Sequence, residues 1–415
     1  MLGQKVDTWL NLLSGFTLFS ILFLPDISIS ASLPAIQVLD VILPVLVLGI
    51  FAKKDQIIWQ NYYLFLLITT AYILLTMGIN SRFGMIRDYF EIYKIYKFLI
   101  VILFFTIVDI RKFLNTWIKP FFVGICLINL MHFFDLFYIN EWIKTAFEGG
   151  SNIDYFGKNT LGQPAGKRMI GFMNNPNNNA VLFSFFAILF FPFQLEKTKW
   201  IWFSTALLMT FLCQSRTSLA AISIMLLCIL LLKLVKWSPK QWFFFLSSIV
   251  GCYVFAWMLS SQFFQYPIYG NSMFNGVALK SQSALGRLEV WKYLWDMIVE
   301  KPIFGFGPNK DFFYHNNIYS ENEYILFAWR YGFIGVFMYF LFYFIPFKKL
   351  VIQQQTPYSK HMILITILLL TTALTNNPLC ERNILILFAI SLGAIYNLTY
   401  NQMAEKDKNE NEVNP

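Results

Sequence analysis

The stretch CQSRTSLAAIS (residues 213–223) places one arginine, Arg216, in a short link between two strongly apolar runs. A charged side chain at the centre of a bilayer costs about 2.5–3.5 kcal/mol on insertion scales. The link must therefore lie at a membrane interface or in a wet cavity, or the guanidinium must meet a partner there. The same pattern of apolar runs and polar links extends along the whole chain.

The composition places the chain among membrane proteins. Of its 415 residues, 57% are hydrophobic and 13% are charged, whereas soluble domains carry about 25% charged residues. Apolar runs long enough to cross a bilayer recur from end to end and predict an all-α, polytopic integral membrane protein with about twelve transmembrane helices. The predicted spans are 7–24, 34–51, 58–78, 95–110, 117–138, 178–194, 200–213, 217–235, 240–259, 321–346, 361–376 and 382–400.

Basic residues in the short links predict the orientation. Excess lysine and arginine mark cytoplasmic loops, and here they fall in alternate connections: Lys53, Lys54, Arg111, Lys112, Lys197, Lys199, Lys233, Lys236, Lys240, Lys348 and Lys349. We therefore expect both termini of the transmembrane domain (1–400) in the cytoplasm and two periplasmic loops, 139–177 and 260–320. The charged segment 401–415 is predicted to be a disordered cytoplasmic tail.

Arginine is distributed differently from lysine. Only Arg111 falls on the predicted inner side, and the outer side receives Arg82, Arg87, Arg168, Arg216, Arg287, Arg330 and Arg382. The planar guanidinium suits phosphate and carboxylate and stays charged when partly buried. The split favours an anionic ligand, such as a pyrophosphate, at the outer face. The alternative is that these arginines pair with acidic side chains or lipid phosphates.

The large outer loop contains SALGRLEVWKYLWDMIVEKPIFGFG (residues 283–307). Apolar residues including Trp291 recur at helical spacing and predict an amphipathic helix, which Pro302 ends. Arg287 lies near the helix N-terminus on its apolar side, an arrangement that favours an anion. The alternative is an interfacial helix whose arginine reaches lipid headgroups.

The next stretch, ENEYILFAWRYGFIGVF (residues 321–337), begins the tenth span with two carboxylates. Glu321 or Glu323 could act as a general base beside a membrane cavity, although carboxylates at a helix start are also favourable with the dipole alone. Asn322 and Tyr324 adjoin them, and Arg330 lies about two turns deeper, facing protein or water rather than lipid.

An asparagine-rich segment, GFMNNPNNNAVLF (residues 171–183), opens the sixth span. Asn174 or Asn175 can cap the helix that Pro176 begins. The amides, Asn177 included, could instead line a sugar-binding cavity together with Arg168. The last span opens in a similar way with NNPLCERN (residues 376–383), which supplies Arg382 as a third candidate anion ligand beside Arg216 and Arg287. No nucleotide or metal motif accompanies these residues, so we expect no cofactor and no nucleic-acid partner.

Four pieces in this order resemble the O-antigen polymerase and ligase superfamily of bacterial envelopes: NNPNNNA, CQSRTSLA, GRLEVWKYLWDMIVEKPIFGFG and ENEYILFAWRYGFIGVF. The resemblance implies a GT-C-like membrane enzyme that performs metal-independent, inverting glycosyl transfer at the periplasmic face. Its donor would be a glycan linked through pyrophosphate to undecaprenyl, held by Arg216 and Arg287. Ligases of the superfamily carry a histidine directly before the Asn-Glu pair, where this sequence has Glu321.

That departure favours a polymerase over a ligase that acts on lipid A-core. The hypothesis is a bacterial inner-membrane enzyme of lipopolysaccharide or other surface polysaccharide biosynthesis. It would extend a glycan on its carrier, with a flippase and a chain-length regulator as candidate partners. The alternatives are an O-antigen ligase that acts on lipid A-core or protein, and a polysaccharide flippase.

Overall fold

The structure is a computed structural model that describes residues 2–27, 35–146, 168–193, 197–235, 237–264, 282–316, 318, 320–353, 356 and 358–413. These residues are almost entirely helical, and their one extended pairing is an isolated bridge between Ile27 and Ile36. The central parts of both predicted outer loops, 147–167 and 265–281, lie outside the described residues. The described part of the chain therefore confirms the all-α prediction.

A helix occupies the position of each predicted span. These helices are α1 (Leu2–Phe23), α2 (Val38–Ala52), α3 (Asn61–Ile79), α4 (Tyr89–Ile107), α5 (Ile110–Phe113) continuing through a π turn into α6 (Lys119–Phe134), α8 (Pro176–Leu189), α9 (Lys197–Leu212), α10 (Arg216–Leu231), α11 (Pro239–Phe264), α14 (Glu323–Phe347), α15 (Ser359–Thr372) and α16 (Arg382–Val413). Three further helices lie between them: α7 (Ile139–Ala146), α12 (Gln282–Glu300) and α13 (Lys310–His315).

Six helical segments are long and apolar enough to cross a membrane, and the described residues include three shorter apolar helices. This composition agrees with a polytopic membrane protein. The total of about twelve spans and the GT-C-like arrangement stay predictions. The six segments are Gln4–Phe23, Asn61–Ile79, Ile110–Phe134, Pro239–Leu259, Glu323–Ile352 and Arg382–Glu405.

Contacts between helix ends show that successive helices alternate in direction. At one end of the bundle, Lys53 pairs with Asp7 at 2.8 Å and Arg111 pairs with Glu405 at 3.3 Å. At the opposite end, which we name the polar end, α2, α4, α8, α10, α14 and α16 begin. There, for example, Gln37 donates to Asn383 at 2.7 Å. The alternation is what a chain that threads a membrane requires, and the placement of the polar end outside the cell stays a prediction.

The C-terminal segment differs from its prediction. Helix α16 runs to Val413 and so includes residues 401–413, where the composition predicted a disordered tail. Met403, Ala404 and Glu405 are good helix formers, and they extend the helix beyond its apolar part.

The amphipathic helix of the large outer loop forms as predicted and docks on the polar end. Leu294 is fully buried and Ile298 is 1% exposed, and both pack in one cluster with Ala328 and Trp329 of α14. Apolar residues beside this narrow stripe stay exposed, such as Leu288 at 52%. One face of α12 is therefore fixed to α14, which positions the residues at its N-terminal end.

A kink in α14 receives the turn that follows α12. Gly332 has φ 65° and ψ −168° inside the helix, a backbone region that only glycine adopts readily. A Cβ at this position would lie 2.1 Å from the Ile303 carbonyl oxygen. The Phe333 amide, freed by the kink, donates to the Pro302 carbonyl at 2.7 Å. The predicted flexible GFG turn is thus held firmly against the start of the tenth predicted span.

Candidate functional site

An arginine and a carboxylate from two helices meet at the polar end. The Nε of Arg287, on α12, pairs with an Oε of Glu321, which directly precedes the cap of α14. Trp291, one turn further along α12, donates its Nε1 hydrogen to the Ser320 carbonyl at 2.5 Å. Glu321 has φ 42°, a left-handed conformation that is unfavourable for this residue type. This turn leaves its side chain 43% exposed, so the carboxylate is available to solvent or substrate.

The neighbouring carboxylate has the opposite environment. Glu323 is fully buried and accepts hydrogen bonds from the Tyr339 hydroxyl at 2.8 Å and from the backbone amides of Leu379 and Cys380 at 2.8 and 3.0 Å. These contacts fix the connection between α15 and α16, which we name the 373–381 loop. The two candidate carboxylates, of which the sequence analysis favoured Glu321, therefore have different positions and different partners.

Asn322 links the same two parts of the chain. Its side chain caps α14 by accepting from the Ile325 amide at 3.1 Å, and its Nδ2 donates to the Leu374 carbonyl at 3.1 Å. Tyr324, predicted as a substrate ligand, turns toward α15 and donates to the Leu370 carbonyl at 2.7 Å. Both residues thus make packing contacts around the site.

Arg216 begins α10 on the other side of the 373–381 loop. Ser215 caps the helix by accepting from the Ser218 amide at 3.3 Å, and the Thr217 hydroxyl contacts the hydroxyl of Thr375. Arg216 itself is exposed, and it forms no ion pair with a carboxylate in the described part of the chain. Its guanidinium is therefore available to an anion.

The two predicted pyrophosphate ligands lie around one short segment of chain without touching each other. Thr375 contacts the Arg216 turn, and the preceding residue, Leu374, contacts Asn322 next to the Arg287–Glu321 pair. Arg382, the third predicted ligand, is elsewhere. It pairs with Asp26 at 2.5 Å and donates to the Ala35 carbonyl. The structure thus separates Arg382 from the other two arginines, because α1 and α16 hold it beside α2.

The asparagine run is largely used for structure. Asn175 caps α8 by accepting from the Asn177 amide at 2.8 Å, and Asn177 accepts from Arg168 at 3.0 Å. Asn174 adopts a left-handed turn with φ 52° before the cap. Asn178, which the sequence analysis included in the run predicted to line a sugar site, accepts from Asn376 at 2.7 Å and donates to Glu381 at 2.8 Å. The run therefore ties α8 to the 373–381 loop.

A second group of basic residues surrounds a cavity of about 330 Å³ next to Arg382. Lys94 and Lys97 of α4 and Lys310 of α13 line it, and the sequence analysis missed all three. Burial lowers the pKa of Lys310, while the Glu91 carboxylate opposes this shift. The signal was available in the sequence, because Glu91, Lys94 and Lys97 recur every third residue and lie on one face of a helix.

Arg330 belongs to this second group. It is buried, and its guanidinium lies 3.5 Å from Glu91 and 5.6 Å from the ring centre of Phe313. The prediction that it faces protein rather than lipid is confirmed. Arg330 does not line the cavity itself, and its role in binding substrate stays a prediction.

Comparison with known families identifies the segment that contains the first group. Residues 201–340 match the family model described as O-antigen ligase. This segment, about a third of the chain, is similar to the O-antigen ligase family. It includes Arg216, Arg287 and Glu321, so the predicted relationship to the O-antigen polymerase and ligase superfamily is confirmed. No curated protein matches the chain significantly. The family indicates a membrane-associated, glycosyltransferase-like enzyme of the O-antigen ligase or polymerase type.

Proposed function

We propose that the protein is a surface-polysaccharide polymerase. It would transfer a growing glycan from undecaprenyl pyrophosphate to a new repeat unit that is itself linked to undecaprenyl pyrophosphate. The observation that carries the proposal is the pairing of Arg287 with the exposed carboxylate of Glu321 inside the family segment. In this pair, a cation suited to a leaving diphosphate contacts a group able to accept a proton.

In the proposed reaction, a hydroxyl oxygen of the new unit attacks the anomeric carbon of the growing chain. The bond between that carbon and the diphosphate oxygen breaks, and both of its electrons leave with the diphosphate. Glu321 accepts the hydroxyl proton. Arg216 and Arg287 stabilise the charge that develops on the departing diphosphate. Because the donor is already activated, the step needs no nucleotide.

The environments of the two carboxylates support Glu321 as the base. Glu321 is partly exposed, whereas three hydrogen bonds occupy the buried carboxylate of Glu323. We assign Glu323 a positioning role, in which it holds the 373–381 loop between Arg216 and the start of α14. A carboxylate base also replaces the histidine of the related ligases, which favours a polymerase.

The substrate and the location follow from the same proposal. The sugar site would lie between the asparagine-rich start of α8, which carries Asn177, and the aromatic face of α12, which carries Trp291. We place the enzyme in the bacterial inner membrane with its polar end in the periplasm and both termini in the cytoplasm. There a flippase would supply the carrier-linked unit, and a chain-length regulator could bind beside it.

The test is complementation of a deletion strain, with the polysaccharide ladder as the readout. Loss of a general base lowers the rate about 10²–10⁴-fold, so Glu321→Gln should leave single repeat units at normal protein levels. Arg287→Ala should do the same. Glu289→Gln, which alters an exposed carboxylate on the same helix, is the matched control and should keep the ladder.

A double exchange distinguishes chemistry from a structural ion pair. Arg287→Glu combined with Glu321→Arg re-forms an ion pair with its charges reversed. If the pair only fastens α12 to α14, the double variant should regain the ladder. We expect protein levels to recover while polymerisation stays absent. Recovery of the ladder would contradict the proposed roles.

An O-antigen ligase is the second candidate, because the matching family model carries that description. The products separate the two. A ligase deletion accumulates long carrier-linked chains, whereas a polymerase deletion stops at one repeat unit.

A further inference from the structure

Most residues that line the cavity beside Arg382 lie outside the family segment, with Lys310 the exception, and the cavity lies across the 373–381 loop from Arg216. Helix α2, helix α4, helix α13 and the start of α16 enclose it, and its volume of about 330 Å³ is that of a small-ligand site. Lys94, Lys97, Lys310 and Arg382 line its wall, together with a single carboxylate, Asp40.

The charges in and against this cavity do not balance among the described side chains. Asp40 pairs with Lys97 at 2.5 Å, and Asp26 pairs with Arg382 at 2.5 Å. The third carboxylate, Glu91, is shared by three cations. These are Lys94 at 2.8 Å, Lys310 at 3.0 Å and Arg330 at 3.5 Å. Among these direct ion pairs of the described structure, five cations face three carboxylates, which leaves a surplus of two positive charges that the nearby carboxylate of Glu323, acting on Lys94, offsets only in part.

A buried surplus of this size is costly unless an anion neutralises it. A diphosphate esterified at both ends carries two negative charges and offers several oxygen acceptors to lysine and arginine. A buried hydrogen-bond donor in this group of basic residues also lacks an acceptor within the described part of the chain. The Nε of Arg330 is buried and has no hydrogen-bond acceptor among the described residues.

An apolar cavity begins where the basic one ends. The two share Lys94, Cys380 and Leu385, and the second has a volume of about 80 Å³. Its wall is mostly apolar, apart from Thr69, Glu91 and Lys94, and comes mainly from α3, α4 and α14, with residues such as Phe65, Phe98 and Phe342. Two of these helices, α3 and α14, are among the segments able to cross a membrane. A ligand with an anionic head and a hydrocarbon tail fits this sequence of surfaces.

We propose that the basic cavity binds the diphosphate of a second polyprenyl-linked substrate, and that the apolar cavity receives the start of its hydrocarbon chain. This inference rests on the proposed function, because a polymerase must hold two carrier-linked glycans at once. The 373–381 loop separates the two sites. Thr375 contacts the Arg216 turn on one side, while Cys380 lines the basic cavity on the other. The two diphosphate sites would then lie on opposite sides of the 373–381 loop, so that the two glycans meet beside this loop.

The experiment counts bound lipid on the purified full-length protein by native mass spectrometry, with undecaprenyl diphosphate as the probe. The wild type should bind two molecules. A Lys310→Gln/Arg382→Gln variant should lose one of them, with affinity for that site weakened about 10- to 100-fold. Arg216→Ala/Arg287→Ala should lose the other. Lys301→Gln is the matched control, because this outer lysine donates to Asn80 at 2.8 Å and does not line the cavity.

The lipid count of the wild type and two competition experiments decide the inference even where a variant fails to fold. A wild-type protein that binds one molecule, lost on substitution of Arg216 and Arg287, would overturn the inference even if the cavity variant fails to fold. Two undiminished binding events in a folded cavity variant would overturn it as well. Inorganic pyrophosphate should compete at the cavity. Equal competition by phosphatidylglycerol would instead identify an ordinary phospholipid headgroup site and refute the diphosphate assignment.

The binding count is independent of polymerisation. If Glu321→Gln retains a full ladder, the proposed function fails while the count still decides the second site. If the ladder behaves as expected but only one lipid binds, the proposed function stands and this inference fails.

Discussion

The docking of α12 on α14 can be tested by one substitution. Leu294 is fully buried in the contact with Ala328 and Trp329. Leu294→Ala removes three carbon atoms, each worth about 0.8 kcal/mol of lost burial, and leaves a cavity. Comparable substitutions in protein cores cost about 2–5 kcal/mol. Because Leu294 packs in the contact between α12 and α14, we expect much of this cost to weaken the docking of α12.

Weaker docking of α12 would affect the proposed chemistry, because Arg287 lies about two turns earlier on the same helix. A loss of about 2 kcal/mol raises the undocked population about 30-fold, which removes Arg287 from Glu321 for a larger fraction of the time. Hydrogen exchange of the α12 amides should accelerate by at least this factor. The polysaccharide ladder should shorten at unchanged protein level.

Leu288 supplies the matched control, because it lies on the same helix and is 52% exposed. Leu288→Ala removes the same atoms and should change stability by less than about 0.5 kcal/mol. Equal effects of the two substitutions on amide exchange would refute the assignment of the buried face. Unchanged exchange in Leu294→Ala would refute the docking itself.

Further predictions concern the backbone kink, the buried carboxylate and the loop thiol. Gly332→Ala should lower the melting temperature sharply, since its Cβ would lie 2.1 Å from the Ile303 carbonyl oxygen and backbone strain alone costs about 1–3 kcal/mol. Gly251→Ala, with open space around the added carbon, should not lower it. Glu323→Gln should destabilise the protein by about 1–3 kcal/mol in thermal unfolding, because an amide cannot accept all three hydrogen bonds that the carboxylate receives. Burial raises the pKa of the Cys380 thiol to about 12, so iodoacetamide near pH 8 should label it much more slowly in the folded than in the unfolded protein. Equal labelling rates in the two states would contradict the raised pKa.

The positions of the helices could be predicted because apolar runs report burial directly. The exact start of α4 could not. The sequence analysis placed the beginning of that span at residue 95, after the charged residues Glu91 and Lys94. In the structure α4 begins at Tyr89, and Glu91 is buried because Lys310 and Arg330, from distant parts of the chain, pair with it. A single sequence gives no information about which distant charges will meet.

The candidate site shows the same limit at single residues. Arg287 and Glu321 were both selected from local pattern, and the fold brings them into contact. The sequence analysis favoured Glu321 over Glu323 as the base but could not show why their environments differ. A left-handed backbone at residue 321 turns one carboxylate outward, and contacts to Leu379 and Cys380 bury the other. Arg382 was grouped with Arg216 from composition, whereas Asp26 holds it beside a different cavity.

The proposed base, Glu321, accepts a hydrogen bond from a proposed diphosphate ligand, Arg287. The chemistry of the guanidinium explains how both residues can act in one reaction. Arginine has five N–H donors in a planar fork, and the contact with Glu321 uses the Nε. The terminal nitrogens are then free to face a diphosphate from the Arg216 side. As the leaving group gains charge it competes for the guanidinium, which weakens the hold on the Glu321 carboxylate when that oxygen must accept the hydroxyl proton. One arginine would thus couple the departure of the carrier to the deprotonation of the acceptor. A lysine at residue 287 would carry its three donors on one atom and would lack the planar fork that presents separate nitrogens to the two partners.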